Sequence, residues 1–324
     1  MKRFLAITGA TTSGKTEVSL RVAERLGGEI VSMDSRQIYR GLDIGTDKAG
    51  PEARARVPHH GLDIRDPGGR YSAGDFARDA RRWIADIEAR GRVPLLVGGT
   101  GFFLRAVIDP IFSEPPMEAE RRERLGAYLY ALEDRAPGSL AAWARRLDPA
   151  RAALAEQGGR QRLARTLEVA LLSGRPLSWW HRNAPAEAPA VDGLVIVIEV
   201  PREELDRRID ARVDRMVEQG LLDEIRGLHE AGVRADWPGL SGQGYRELLA
   251  WAGGALPLEA ALDEMKRQTR RYARRQLTWL RNQLPHDAVR IDGLAPLEER
   301  VEHIVRAWEA VRGVGTSTNE EDTA

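Results

Sequence analysis

"RFLAITGATTSGKTEVSLRVAERLG", residues 3–27, passes through three textures in succession. "RFLAIT" (3–8) is a short apolar run, "GATTSGKT" (9–16) a glycine-bounded turn, and "KTEVSLRVAERLG" (15–27) carries helical spacing that stops at Gly27-Gly28. The turn matches Gly-x-x-x-x-Gly-Lys-Ser/Thr, with Gly9, Gly14, Lys15 and Thr16 in the required places. A strand entering such a turn and a helix leaving it set unpaired backbone N–H groups and a positive dipole end against an anion. The turn is therefore expected to hold phosphate through Gly9, Ala10, Thr11, Thr12, Ser13, Gly14, Lys15 and Thr16. Lys15 adds charge and the Thr16 hydroxyl offers a ligand for Mg²⁺. ATP is the reflex guest, and the loop alone does not decide it.

The same alternation continues outward. "EIVSMD" (29–34) reads as a buried strand ending in an acid, "FARDARRWIADIEARG" (76–91) as a helix with Asp75 as N-cap and Gly91 as its stop, and "VPLLVGG" (93–99) as a third strand. "LVIVIEV" (194–200) and "AVRI" (288–291) supply further strands. Strand–helix alternation of this kind predicts an α/β fold, a parallel sheet flanked by helices. Between 114 and 188 strand patterns give way to Arg/Ala/Leu-rich helical sequence, opened by Pro115-Pro116 and closed by "NAPAEAPAVDG". This divides the chain into a first core segment (1–113), a helical insertion (114–188), a second core segment (189–310) and a polar tail (311–324) expected to be disordered.

Bulk composition narrows the classes. A chain of 324 residues with 42% hydrophobic and 30% charged residues suits a large globular domain with an elaboration. With no cysteine there is no disulfide framework, thiolate zinc site or thiol nucleophile. No apolar run approaches a membrane span and the N-terminus lacks the form of a signal peptide, so the expected location is the cytoplasm. Formal net charge is zero, so any basic footprint must be local.

Two such footprints exist. Over 261–284, Lys266, Arg267, Arg270, Arg271, Arg274, Arg275 and Arg281 fall within one half of a helix surface, with Met265, Tyr272, Ala273, Trp279 and Leu280 on the other. From Ser139 to Arg182 eight arginines stand against Asp148, Glu156 and Glu168. Paired runs of one sign in a neutral chain point to a polyanionic partner, against the plainer reading of solvated helix faces. "MDSRQIYRGLDIGTDK" (33–48) and "VGGTGFFLRA" (97–106) both follow strand ends, where open α/β sheets place ligands. Asp34 can act on an acceptor or merely cap a turn, and Thr100 can donate a hydroxyl or cap a helix. His59 and His60 are adjacent, so in extended chain they point apart and suit structural hydrogen bonds better than a shared metal.

At this point the motifs accumulate. "GATTSGKT", "DSRQIYRGLDIGT", "PHH", "YSAGDF", "LLVGGTGFFLRA", "QRLARTLEV", "RRIDARVDRMVEQGLLDEI", "GQGYRE" and "RRQLTWLRN" follow one another from about Phe4 to Leu284. In that order the chain resembles the tRNA dimethylallyltransferases, also called tRNA isopentenyltransferases, of the bacterial type without a C-terminal zinc finger. The resemblance implies transfer of a dimethylallyl group from dimethylallyl diphosphate to N6 of the adenosine 3′-adjacent to the anticodon, with Mg²⁺ and release of diphosphate. It further implies Asp34 as the base, Thr100 as a hydrogen-bond donor to the diphosphate, and Arg212 as another diphosphate ligand. tRNA contacts carry over to Asp34, Ser35, Arg36 and Gln37, to Arg122, to Gln161, Arg162, Leu163, Ala164 and Arg165, and to Gln243, Gly244, Tyr245 and Arg246. A monomer is expected. Departures from the family pattern are Ala10 for a common proline, Thr12 for a common alanine, and Phe102-Phe103 for Leu-Tyr near the expected prenyl wall. The rival readings are a small-molecule or nucleoside kinase using the loop for ATP, and a prenyltransferase acting on free adenine nucleotides.

Overall fold

A computed structural model describes residues 2–109, 111–112, 115–184 and 186–313. Strands in chain order are β1 (Phe4–Gly9), β2 (Gly28–Ser32), β3 (His59–His60), β4 (Val93–Val97), β5 (Ile111–Phe112), β6 (Ala186–Ala188), β7 (Gly193–Glu199) and β8 (Val289–Asp292). The helices begin with α1 (Lys15–Leu26), α2 (Pro51–Arg56), α3 (Ala73–Ala89), α4 (Gly101–Ile108), α5 (Ala119–Arg135), α6 (Ser139–Leu147) and α7 (Pro149–Gln157). They continue with α8 (Gly159–Ser173), α9 (Leu177–Asn183), α10 (Arg202–Glu218), α11 (Leu221–Glu230), α12 (Tyr245–Ala252), α13 (Leu258–Asn282) and α14 (Leu297–Gly313). The chain divides into two compact units, one of residues 1–109 with 190–324 and one of Pro110–Pro189.

The first unit is built on a six-stranded sheet of order β3-β2-β4-β1-β7-β8, parallel at every pairing. Strand β1 is buried along its whole length, which is why it reads as an unbroken apolar run: both faces of a parallel sheet are covered. Leu5 and Ile7 share one core with Val18 and Val22 of α1 and with Val301, Ile304 and Trp308 of α14. Helix α3 lies on β2 and β4 and packs against α4. At the edge of β7, a Cβ on Gly193 would sit 2.3 Å from the Phe4 ring, so glycine lets β1 and β7 pair closely. A second core gathers Ile38, Tyr39 and Leu42 with Val213 and Met216 of α10, Ile225 of α11, Leu248 of α12 and Met265 of α13.

Helix α1 stops where its sequence says it should: Gly27 is left-handed at φ 61°, and its N–H reaches the carbonyls of Ala23 and Glu24. The start of α3 differs from expectation. The helix begins at Ala73, and its N-cap is Ser72, not Asp75. Ser72 Oγ accepts from the Asp75 N–H at 3.1 Å while Asp75 Oδ2 accepts from the Ser72 N–H at 2.9 Å. Two oxygen-bearing residues three apart form a reciprocal capping box, and the earlier one marks the boundary.

The second unit is a helical bundle, α5 to α9, whose core takes Leu129, Leu140, Ala144, Ala155, Leu163 and Leu167 from four helices. Strands are not absent from it: β5 and β6 pair antiparallel near its two ends. Segments of two and three residues carry no alternation for sequence reading to detect. At the other end of the chain, α14 runs to Gly313, past the expected start of the tail at 311, and residues 314–324 lie outside the described residues.

Candidate active site

Loops leaving the carboxyl ends of β1, β2 and β4 meet around a cavity of about 480 Å³ in the first unit. Its wall includes Lys15, Thr16, Asp34, Asp47, Arg212, Gln243, Tyr272 and Gln276. This is where open α/β sheets gather ligands, because loops from neighbouring strands diverge there.

The β1–α1 turn enters helix α1 through Gly14, left-handed at φ 87° and making no side-chain cap. The first-turn N–H groups, which have no partner within the helix, are therefore left uncapped by any side chain at that position. Thr12 is also left-handed, at φ 63°, an uncommon state for a β-branched residue and a marker of a loop whose shape is imposed. Lys15 folds back over the turn, its Nζ donating to the Gly9 carbonyl at 3.0 Å and the Ala10 carbonyl at 2.6 Å. Burial, reinforced by the nearby Arg212 charge, brings its ammonium down to about 8, against the opposing pull of Asp34 and Asp47. Arg212, delivered by α10, donates from Nη1 to Thr11 Oγ1 at 2.6 Å and lies 3.6 Å from an Asp47 carboxylate oxygen. Two cations thus converge on the loop from different elements.

Asp34 stands two residues beyond the end of β2, and its Oδ1 accepts from the Arg36 N–H at 2.8 Å. It caps no helix. The bond closes a local turn and leaves the carboxylate on the cavity wall. Thr100 occupies the N-cap position of α4 without capping it. Instead its hydroxyl oxygen accepts from the Ser35 N–H at 3.2 Å and pairs with the Tyr272 hydroxyl. The Tyr272 phenol is pushed up to about 12 by burial first and the Asp34 charge second, so it stays neutral across the working range. The glycines before Thr100 are needed for closeness: a Cβ on Gly98 would fall 2.1 Å from the Met33 carbonyl oxygen.

Several residues expected to meet RNA have other employment. Gln37 accepts from Ser32 Oγ and donates to the carbonyls of Thr46 and Asp47, pinning the loop that carries Asp47. Tyr245 is buried, and its hydroxyl donates to Glu224, whose carboxylate also accepts the N–H groups of Asp43, Ile44 and Gly45. Arg36 donates to the Pro238 carbonyl, and the Gly244 N–H to Gln268, while Gln243 lines the cavity and Arg246 is exposed. In the second unit, Leu163 and Ala164 point into the bundle core, so Gln161, Arg162 and Arg165 are the members of that stretch outside it. Arg122 and Arg165 both approach Glu168, at 3.2 and 3.6 Å.

The basic helix is also less bare than its sequence. Lys266 and Arg270 pair with Asp214 and Asp210 of α10, and Arg267 and Arg271 share Glu264. Among the described residues Arg274, Arg275 and Arg281 have no acidic partner, and all three are exposed. Phe102 and Phe103 do not wall the cavity: Phe103 stacks on Phe76 with ring centroids 4.3 Å apart, and Phe102 is exposed. The apolar lining comes from Val97, Ile209, Val213, Met216 and Met265. His59 Nδ1 donates to the Val57 carbonyl and His60 Nε2 to Glu29, as structural bonds, with burial lowering the His59 ring. Sequence reading does not single out Gln276, Asp47 or the hydroxyl of Tyr272. A polar side chain four residues from Tyr272, on the side of α13 that packs inward, is the available signal.

A family model described as IPP transferase matches residues 37–283, and one described as isopentenyl transferase matches residues 2–56. The tRNA dimethylallyltransferase of Halorhodospira halophila is 45% identical over 306 residues, 93% of this chain and 96% of that one. This chain belongs to the IPP transferase family. Solved members of similar structure include the full-length tRNA isopentenylpyrophosphate transferase of Bacillus halodurans, at 35% identity and a TM-score of 0.68, covering 96% of each chain. A eukaryotic dimethylallyltransferase acting on tRNA shares 25% identity at a TM-score of 0.79, over all of this chain and 81% of its own. With the family shown, the kinase reading is not favoured.

Proposed function

We propose that this protein transfers a dimethylallyl group from dimethylallyl diphosphate to N6 of the adenosine 3′-adjacent to the anticodon of tRNA, releasing diphosphate. The observation that carries this reading is one cavity lined by the cations Lys15 and Arg212 and by the Asp34 carboxylate. Such a transfer needs both. As the C1–O bond breaks, its electron pair passes to the diphosphate, and fixed cations with the first-turn N–H groups stabilise that charge. As the N6 lone pair bonds to C1, the nitrogen becomes acidic, and Asp34 accepts its proton. The adenine must leave its stack to reach the carboxylate. Thr100 holds Ser35 and Tyr272 beside the cavity, with its hydroxyl offered to the diphosphate side.

The donor set suits Mg²⁺. Thr16 lines the cavity, and its hydroxyl would be the protein's ligand to the ion. A cation held by few protein oxygens and completed by water and substrate phosphate is the habit of Mg²⁺. When bound, it would neutralise diphosphate charge. No described helix is long and apolar enough to cross a membrane. A tRNA acceptor supports a cytoplasmic site of work.

Purified protein given labelled dimethylallyl diphosphate and Mg²⁺ should label tRNA and leave AMP unlabelled. Label in AMP alone, or ATP consumed without tRNA, would overturn the reading. The unpaired arginines make a second expectation. Arg274→Glu with Arg281→Glu should weaken tRNA binding and flatten its dependence on salt, by roughly 0.7–0.9 log unit for each phosphate no longer neutralised. Arg267→Gln, which removes an arginine already paired with Glu264, should change the salt slope little.

A further inference from the structure

Helix α13 presents a polar stripe at Gln268, Tyr272 and Gln276, spaced four apart on one face. Each member holds a different loop of the site. Gln268 Oε1 accepts from the Gly244 N–H at 3.3 Å, and Tyr272 pairs with Thr100. Gln276 is the most committed: its Oε1 accepts from the Thr11 N–H at 2.9 Å, and its Nε2 donates to the Gly99 carbonyl at 2.8 Å. It is 7% exposed. A Cβ on Gly99 would lie 2.2 Å from that Nε2, so the β4–α4 loop approaches as closely as glycine permits.

We infer that Gln276 is a positioning residue for the transfer reaction, fixing the β1–α1 turn that carries Lys15 against the loop that carries Thr100; this rests on the function proposed above. The physical requirement is bidirectional. One amide accepts from one loop and donates to the other, and a side chain with both capacities at that length satisfies the two half-buried backbone groups at once. Thr11 is also the residue whose hydroxyl receives Arg212, so the amide fixes the backbone on which the second cation is aimed. The opposite face of α13 bears the exposed Arg274 and Arg281, while Arg275 lies beside the stripe with its guanidinium 5.7 Å from the Tyr272 ring centroid. One rigid helix therefore sets the geometry of the leaving-group site while offering its other face to a polyanion.

Two substitutions test this. Gln276→Leu keeps approximate volume and removes both bonds, leaving Thr11 N–H and Gly99 C=O unpaired. It should lower kcat with tRNA by about 10²-fold, the scale of a misplaced catalytic geometry. Binding of inorganic diphosphate with Mg²⁺, read by calorimetry well below the melting transition of both proteins, should weaken in parallel while tRNA affinity stays at the wild-type value. The two unpaired backbone groups should lower the melting temperature, yet leave the variant folded at the assay temperature. Gln276→Glu supplies the signature a merely structural role would not give. Its carboxyl can donate to Gly99 only when protonated, and burial beside a carbonyl favours the protonated form. Its deficit relative to wild type should therefore shrink as pH falls from 8 to 6, whereas the deficit of Gln276→Leu should not. Wild-type kcat and diphosphate binding in Gln276→Leu overturn the assignment, as do losses explained by unfolding of the variant at the assay temperature, or a pH-independent deficit in Gln276→Glu. If the wild-type protein fails to prenylate tRNA, the functional reading falls, and diphosphate binding still tests Gln276 by itself.

Discussion

Asp34→Asn should lose roughly 10²–10⁴-fold in kcat, the range of general base catalysis. That corresponds to about 3–5 kcal/mol of transition-state stabilisation. The substitution is a clean one here because the Asp34 oxygen that accepts from the Arg36 N–H has a counterpart in the Asn amide, so the local turn persists. What disappears is the capacity to take a proton from N6. Affinities for tRNA and for diphosphate should remain at wild-type values, so the loss should fall on kcat and leave KM nearly unchanged. Single-turnover measurement of label transfer separates chemistry from binding, and full activity in Asp34→Asn would remove the carboxylate from the base role. Asp34→Ala should add disorder of the 33–37 turn to the same chemical loss.

The second large effect belongs to Lys15. Lys15→Met should cost on the order of 10²–10³-fold in kcat, the scale of removing one preorganised charge-stabilising group. The wild-type side chain adds a pH signature that the variant should lack. With its ammonium brought down to about 8 in the free protein, Lys15 is cationic below that pH and neutral above it. An anion in the cavity favours the cation, so diphosphate binding above pH 8 draws in a proton, and affinity falls by up to about tenfold per unit. Folding has the opposite sign. Because the folded value lies below the unfolded one, the unfolded chain binds more protons between pH 8 and 10.5, and the contribution of Lys15 to stability rises over that window. Calorimetry of diphosphate binding from pH 7 to 9, in buffers of different ionisation enthalpy, checks the first; pH-resolved denaturation checks the second. A pH dependence of binding shared equally by wild type and Lys15→Met would assign the proton elsewhere.

Strands β1, β2, β4, β7 and β8 and helices α1, α3 and α13 were legible because their chemistry is local. Buried parallel strands are continuous apolar runs, and β1, β4 and β7 follow that rule, while β2 buries Glu29 against Arg90 and His60 within its run. β3 escaped it, being two half-buried histidines whose rings are held by hydrogen bonds to the Val57 carbonyl and Glu29. For the site, residue types with few structural uses at a strand end, such as Lys15 and Asp34, were readable. Residues whose role depends on a partner far away in sequence were not. Tyr245 has the look of an RNA contact in sequence, yet Glu224 takes its hydroxyl. The basic face of α13 looks continuous in sequence, yet Asp210 and Asp214, on another helix, lie beside it. Gln276 is the converse case: a polar residue in a charged helix reads as solvent-facing, and only the fold turns it inward to Thr11 and Gly99.

The folded-back pose of Lys15 bears on how the enzyme finishes its cycle. An ion site whose cations are bare when empty grips its anion hard and gives it up slowly, because departure strands unsatisfied charge. Here Lys15 has the Gly9 and Ala10 carbonyls to return to, and Arg212 has Thr11 and Asp47. Departure of diphosphate exchanges one set of partners for another, so much of the electrostatic gain made during bond cleavage is refunded at the exit. On the function proposed above, these resting contacts lower the cost of letting the anion go.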